Sequence, residues 1–198
     1  MKSSQLEKIK KTGVKILDDA TVFIDNSVKI GTGTIIFPLT QIYGKTVIGK
    51  NCTIISSVLK DCVVGDNVTI GPFSHIRSGT VIEDDVEVGN FGEIVRSRIE
   101  RGAKVKHFSY LGDATVGKKV NIGAGTITAN FDGKNKWKTE VGEETFVGVD
   151  TSFVAPVKVG KRVKIGAGAV ILEDLPDDAT AVGVPARIIK IKGKKVNQ

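Results

Sequence analysis

An aliphatic residue returns every six positions along most of this chain, and nothing else in the sequence constrains the fold as tightly. Ile24, Ile30, Ile36, Ile42, Ile48 and Ile54 keep the interval without a miss. After a short slip it resumes at Val58, Val64, Ile70, Ile76, Ile82, Val88 and Ile94. A second slip leads through Ile99, Val105 and Leu111 to Val116 and Ile122, and the last run is Val141, Val147, Phe153, Val159, Ile165 and Ile171. A spacing of six fits neither the helical period nor the alternation of a half-buried strand. The recurring side chains are mostly β-branched, which favours extended backbone. Glycine often follows them, as at Gly31, Gly49, Gly123 and Gly148, and is expected to supply a positive-φ corner. Small or branched residues come four positions after the aliphatic, as at Ser74, Val120, Thr126, Thr151 and Ala169. A short strand, a corner and a repeat predict an all-β fold, a parallel β-helix of roughly eight three-sided coils, each about 4.8 Å above the last. The interval does not reveal the hand of the coil.

The ends lie off the interval. Residues 1–20 read as a helix or linker stub. Ser4-Gln5-Leu6-Glu7 fits a capping box, and Leu6, Ile9 and Lys10 suit a short helix ending near Gly13. Residues 21–178 carry the β-helix, which Leu175-Pro176 and Gly183-Val184-Pro185-Ala186 close because proline cannot donate to a ladder. Residues 179–198 form a basic tail with Arg187, Lys190, Lys192, Lys194 and Lys195.

Net charge is +7, which favours anionic partners. The tail lacks interleaved aromatic residues, so small phosphorylated ligands are expected rather than nucleic acid. No apolar run approaches a membrane span, and the N-terminus has no apolar signal region, so a soluble, cytoplasmic protein is expected. Cys52 and Cys62 have no zinc or redox spacing and are expected to be small core fillers.

A prism of flat faces has no cleft, and chemistry needs one. The loop at 129–139, with Phe131, Asp132-Gly133, Lys134, Lys136, Trp137 and Lys138, is where this chain interrupts its repeat to build a wall. Preceding it is KHFSYLGD (106–113). His107 follows the inward Val105 by two places and should lie outward, where imidazole can accept a proton at neutral pH. Glu93, about one coil earlier, could hold its tautomer. His75 has no such company and reads as structural. His75 and His107, far apart along the chain, do not supply the three-histidine set of zinc β-helix hydratases such as the γ-class carbonic anhydrases, so no metal is expected.

The stretches GPFSHIRSG (71–79), VGNFGEIVRSR (88–98), KHFSYLGDATVG (106–117), VNIGAGTITANFDGKNKWKT (120–139) and FVGVDTSFVAPVKVG (146–160) resemble the hexapeptide-repeat acyltransferases. Within them, they are similar to the acetyltransferase half of bifunctional N-acetylglucosamine-1-phosphate uridyltransferase/glucosamine-1-phosphate acetyltransferase. The resemblance implies a left-handed coil, a homotrimer with sites between subunits, and acetyl transfer from acetyl-CoA to the amine of an amino-sugar phosphate. It gives His107 as general base, with Glu93 and Asn130 beside it. Arg77, Tyr110, Asn121 and Lys136 would hold the sugar phosphate, and Ala124, Val149, Ala167 and Arg187 would lie along acetyl-CoA. Neither nucleic acid nor membrane is implied. No glycine-rich nucleotide loop precedes the repeats, so uridylyl transfer is not carried over. Three departures bear on specificity: Val95 stands where the family has a phosphate-binding lysine, Val149 where it has a serine, and Val184 about where it has an arginine. An acceptor other than glucosamine-1-phosphate, such as a nucleotide-linked amino sugar, therefore stays open. So does a non-catalytic sugar-phosphate-binding β-helix that partners a separate nucleotidyltransferase chain.

Overall fold

The computed structural model describes residues 2–196. One helix, Lys2–Lys10, precedes a column of short parallel strands. The helix starts before Ser4, so the expected capping box does not begin it. Glu7 is instead engaged by Lys10, which also reaches Asp19 at 2.5 Å. Leu6 is buried and Ile9 packs on the core, so the helix lids the first coil.

Three parallel ladders make the faces of the column. The first face begins at Lys15–Ile16, the second at Phe23–Ile24 and the third at Lys29–Ile30, with twelve, nine and eight strands respectively. The nine strands of the second face give one coil more than the hexads predict, because coils are not uniform in length. Ile36 pairs with Ile54 and Ile54 with Ile70, the second step being the shorter. The first slip also falls one position later than the interval suggests. Leu59 is fully buried and Val58 only half-buried, and Leu59 pairs with both Ile42 and Ile76.

The aliphatic residues fill the column, with Ile36, Ile42, Ile54, Ile70, Ile76, Ile94 and Phe153 fully buried. Ser74, Val120, Thr126, Thr151 and Ala169 are buried at the corners. Their hydroxyls satisfy corner carbonyls: Thr126 Oγ1 donates to Gly123 O at 2.7 Å and Thr151 Oγ1 to Gly148 O at 2.8 Å. Cys52 and Cys62 are free and buried, and burial pushes the Cys62 thiol up to about 11.

The recurring glycines serve a different purpose from the one expected. Gly31, Gly49, Gly123 and Gly148 do not have positive φ. The left-handed residue comes two places later, at Gly33 (φ 76°), Asn51 (55°), Gly125 (72°) and Asp150 (55°), residue types that tolerate it best. The glycines are needed because coils touch there. A Cβ on Gly31 would lie 2.6 Å from Gly49 O, and one on Gly123 2.5 Å from Gly148 C.

The ladder runs past Pro176. Ala179–Val182 adds in parallel to Lys164–Ile165, and Arg187–Ile191 then folds back antiparallel on it, followed by Lys194–Lys195. The basic segment is thus paired sheet through Lys195, and it covers the open edge of the first face. Among the described residues, no helix is long and apolar enough to cross a membrane.

Candidate active site

The interrupted repeat builds a flap on the edge between the second and third faces. Tyr110 pairs with Ile127 after an ordinary coil, but Ile127 pairs with Ser152 after a much longer one. The extra chain leaves after Ala129 and returns at Thr139. Asp132 organises it, accepting from the N–H of Asn135 at 2.7 Å, the indole Nε1 of Trp137 at 2.7 Å and the N–H of Lys134 at 2.8 Å. These donors, the Asn135 N–H foremost, hold its carboxyl down to about 2. Phe131 pairs antiparallel with Lys136, and Trp137 N donates to Asn130 O at 2.8 Å. Trp137 therefore staples the flap to itself.

Asn130 anchors the base of the flap and is 5% exposed. Its Nδ2 donates to Asp113 Oδ2 at 2.5 Å, and Asp113 takes a two-pronged pair from Arg96 at 2.6 and 2.8 Å. Arg96, then Asn130 and the charge of Lys136, keep the Asp113 carboxyl below its usual range. Arg96 and Asp113 were not singled out in the sequence. The available signal was spacing: Arg96, Asp113 and Asn130 are evenly spaced at the local coil length, so they stack on three successive coils.

Tyr110 and Asn130 meet over Gly112. A Cβ there would stand 2.5 Å from Tyr110 Oη and 2.7 Å from Asn130 Nδ2. Glu93 lies opposite Tyr110 in the ladder, but its carboxylate accepts from Arg77 Nη1 at 2.6 Å. It does not hold the His107 ring as the sequence suggested; no hydrogen bond joins the two.

His107 is exposed on the corner between the first and second faces, beside a shallow cavity of about 480 Å³ that includes Pro72, Phe73, Phe91 and Lys106. Neither ring nitrogen has a hydrogen-bond partner among the described residues. Val105 pairs with Ile122, Asn121 with Phe146 and Val147 with Ile165. His107, Ala124, Val149 and Ala167 consequently stand one above another on one corner, about 4.8 Å per coil. The backbone bond from Asp150 N to Ala124 O and that from Gly168 N to Val149 O continue this stack. The N–H groups of Ala124 and Ala167 have no backbone acceptor among the described residues.

The candidates thus divide into the corner column, the second face with Arg77, Glu93 and Tyr110, and the flap with Asn130 and Lys136. Asn121 lies on the adjoining first face. Arg187 lines a separate cavity of about 450 Å³ at the closed end, with Leu172, Leu175 and Ile188. Within one chain the imidazole and the flap stand at opposite edges of the second face. Among the described residues, no group of His, Cys, Asp or Glu could hold a metal ion.

Residues 61–95 match the bacterial transferase hexapeptide family (six repeats), and 138–173 the hexapeptide repeat of succinyl-transferase. The chain is 44% identical to the bifunctional protein GlmU of Carboxydothermus hydrogenoformans over 93% of its own length and 45% of that protein's. It is 42% identical to GlmU of Thermotoga maritima over 96% of its length and 46% of that protein's. It therefore spans about half the length of the curated relatives it matches. Among solved structures it is similar to the UDP-N-acetylglucosamine acyltransferase of Francisella novicida, with a TM-score of 0.69 and 18% identity over 89% of this chain and 70% of that one. LpxA of Acinetobacter baumannii has a TM-score of 0.58 and 21% identity over 89% and 74%. At these identities the likeness is one of fold. With the sequence relatives and the repeats together, the chain carries the bacterial transferase hexapeptide repeat and is similar to about half the length of the GlmU proteins.

Proposed function

We propose that this chain is an N-acetyltransferase that moves an acetyl group from acetyl-CoA to the amine of an amino-sugar phosphate, with glucosamine-1-phosphate as acceptor. One observation carries this reading: a solvent-facing imidazole shares a corner with N–H groups that lack an acceptor. His107 takes a proton from the acceptor amine as its nitrogen attacks the thioester carbonyl. The Ala124 or Ala167 N–H donates to the oxyanion that develops, and collapse breaks the carbon–sulfur bond, releasing CoA as its thiol after protonation. Tyr110, Asn121 and Asn130 orient the sugar, while Arg77 and Lys136 face its phosphate. Val149 and Arg187 lie along the CoA path. The flap is at the far edge of the second face from His107, so a second copy completes the cleft, consistent with a homotrimer.

The test is acceptor-dependent release of free thiol. His107→Ala is expected to lower kcat by roughly 10² to 10⁴ while retaining acetyl-CoA binding. Thiol release equal to the native rate would remove His107 from the mechanism. A panel of glucosamine-1-phosphate, galactosamine-1-phosphate and nucleoside-diphosphate amino sugars identifies the acceptor.

A further inference from the structure

A cluster of cations lies around Arg77 on the second face, and the roles assigned so far leave Lys60 and His75 in it unexplained. A cavity of about 390 Å³ on the second face is lined by Lys60, His75, Arg77, Ser78, Val95 and Arg96. The ladder register explains the grouping. Leu59 pairs with Ile76 and Ile76 with Ile94, so Lys60, Arg77 and Val95 occupy one column on successive coils. The next rung of that column is Gly112, opposite Val95. Above Arg77 the column therefore offers two rungs with no polar side chain, and below it stands an ammonium.

The ion pairs sharpen the point. Arg96 spends Nε and Nη2 on Asp113. Arg77 gives only Nη1 to Glu93, leaving most of its five donors unspent. Lys60 and His75 have no ion pair or hydrogen-bonded side-chain partner among the described residues. The carboxylate of Asp61, next to Lys60 in the chain, accepts from Lys45 N at 2.9 Å and Ser78 Oγ at 3.4 Å.

We infer that Lys60 joins Arg77, on the next rung about 4.8 Å away, in seating the phosphate of the acceptor, with His75 at the edge of the same seat. This makes Lys60 a specificity-determining residue, and it rests on the acetyltransferase reading only for the identity of the ligand. A tetrahedral phosphate between an ammonium and a guanidinium receives charge-assisted bonds from both. The apolar Val95 rung gives the anion no competing position nearer the sugar.

The whole chain serves for the test. Its two histidines give two imidazole proton signals by NMR, and His75→Gln identifies one. Titration with inorganic phosphate at constant pH and ionic strength is expected to move the His75 signal. Lys60→Ala should weaken that binding about tenfold, and Lys60→Arg should restore it. In the thiol-release assay, Lys60→Ala should raise KM for glucosamine-1-phosphate about tenfold, with kcat within about twofold and no change in KM for unphosphorylated glucosamine. A His75 signal indifferent to phosphate, or equal phosphate affinity in Lys60→Ala, overturns the proposal. If no acetyl transfer is detected but Lys60→Ala still weakens phosphate binding, the reaction assignment fails and the anion seat stands. If transfer is robust and Lys60→Ala changes neither KM nor phosphate affinity, the seat fails and the reaction stands.

Discussion

Single side chains decide whether the flap is a wall or a loose insertion, and Asp132 is the one to test. Its carboxylate closes three hydrogen bonds inside the flap, one to the only tryptophan of the chain. The folded carboxyl is held at about 2, below the 3.8 of a free group. A depressed acid contributes order that is fully present above its free value and is lost as pH falls through the folded one. Trp137 fluorescence is accordingly expected to stay constant down to about pH 4 and to change between pH 4 and 2 with a midpoint near the lower end. Asp132→Ala should show the low-pH fluorescence already at pH 7, with the thermal midpoint of the column little altered. An unchanged spectrum would mean that Trp137 is held by something else. In the sequence, Asp132-Gly133 was legible as a turn, but the pairing of Asp132 with Trp137 was not, because it depends on how the hairpin closes. His107 was legible as outward because two steps from a buried strand residue reach the corner. The partner of Glu93 was not, because Arg77 and His107 both lie within a coil of it and only side-chain geometry chooses between them.

At the scale of strand and corner, glycines that look alike in the sequence do unlike things. Gly123 is backed by the backbone of the next coil, and Gly112 by the tips of two site side chains. Gly123→Ala must push coils apart and is expected to destabilise the protein by about 1–3 kcal/mol, read from the urea midpoint. Gly112→Ala needs only Tyr110 Oη and Asn130 Nδ2 to move. It should cost under about 1 kcal/mol in the same measurement while raising acceptor KM severalfold. Equal stability losses would refute this division. The hexads anticipated a residue that must be small after each aliphatic, yet not the reason, since close approach between coils exists only once coils are stacked. The placement of Leu59 rather than Val58 in the core has the same origin: a slip in spacing can be absorbed at either residue, and neighbouring rungs select one.

For the molecule as a whole, the column is a quasi-one-dimensional stack that must be stopped at both ends. The helix Lys2–Lys10 covers the first coil, and the strand Arg187–Ile191 occupies the last free edge. Removing residues 184–198 should uncover the edge of Ala179–Val182. Light scattering is expected to show concentration-dependent association that the full chain lacks, with early hydrogen exchange in the final coil. A truncated chain as monodisperse as the full one would show that the hairpin is not a cap.

The six-residue interval alone determined the extended backbone, the inward set and the parallel coil, because no other architecture buries one side chain in six with a small residue at each corner. It also located the flap, as the longest interruption of the interval. Only the tertiary structure decided which residues share a rung. Coils of unequal length bring Lys60 under Arg77, Arg96 under Asp113 and His107 under Ala124. Those vertical neighbours, set by the sum of all preceding coil lengths rather than by any local motif, are what make flat faces into a site.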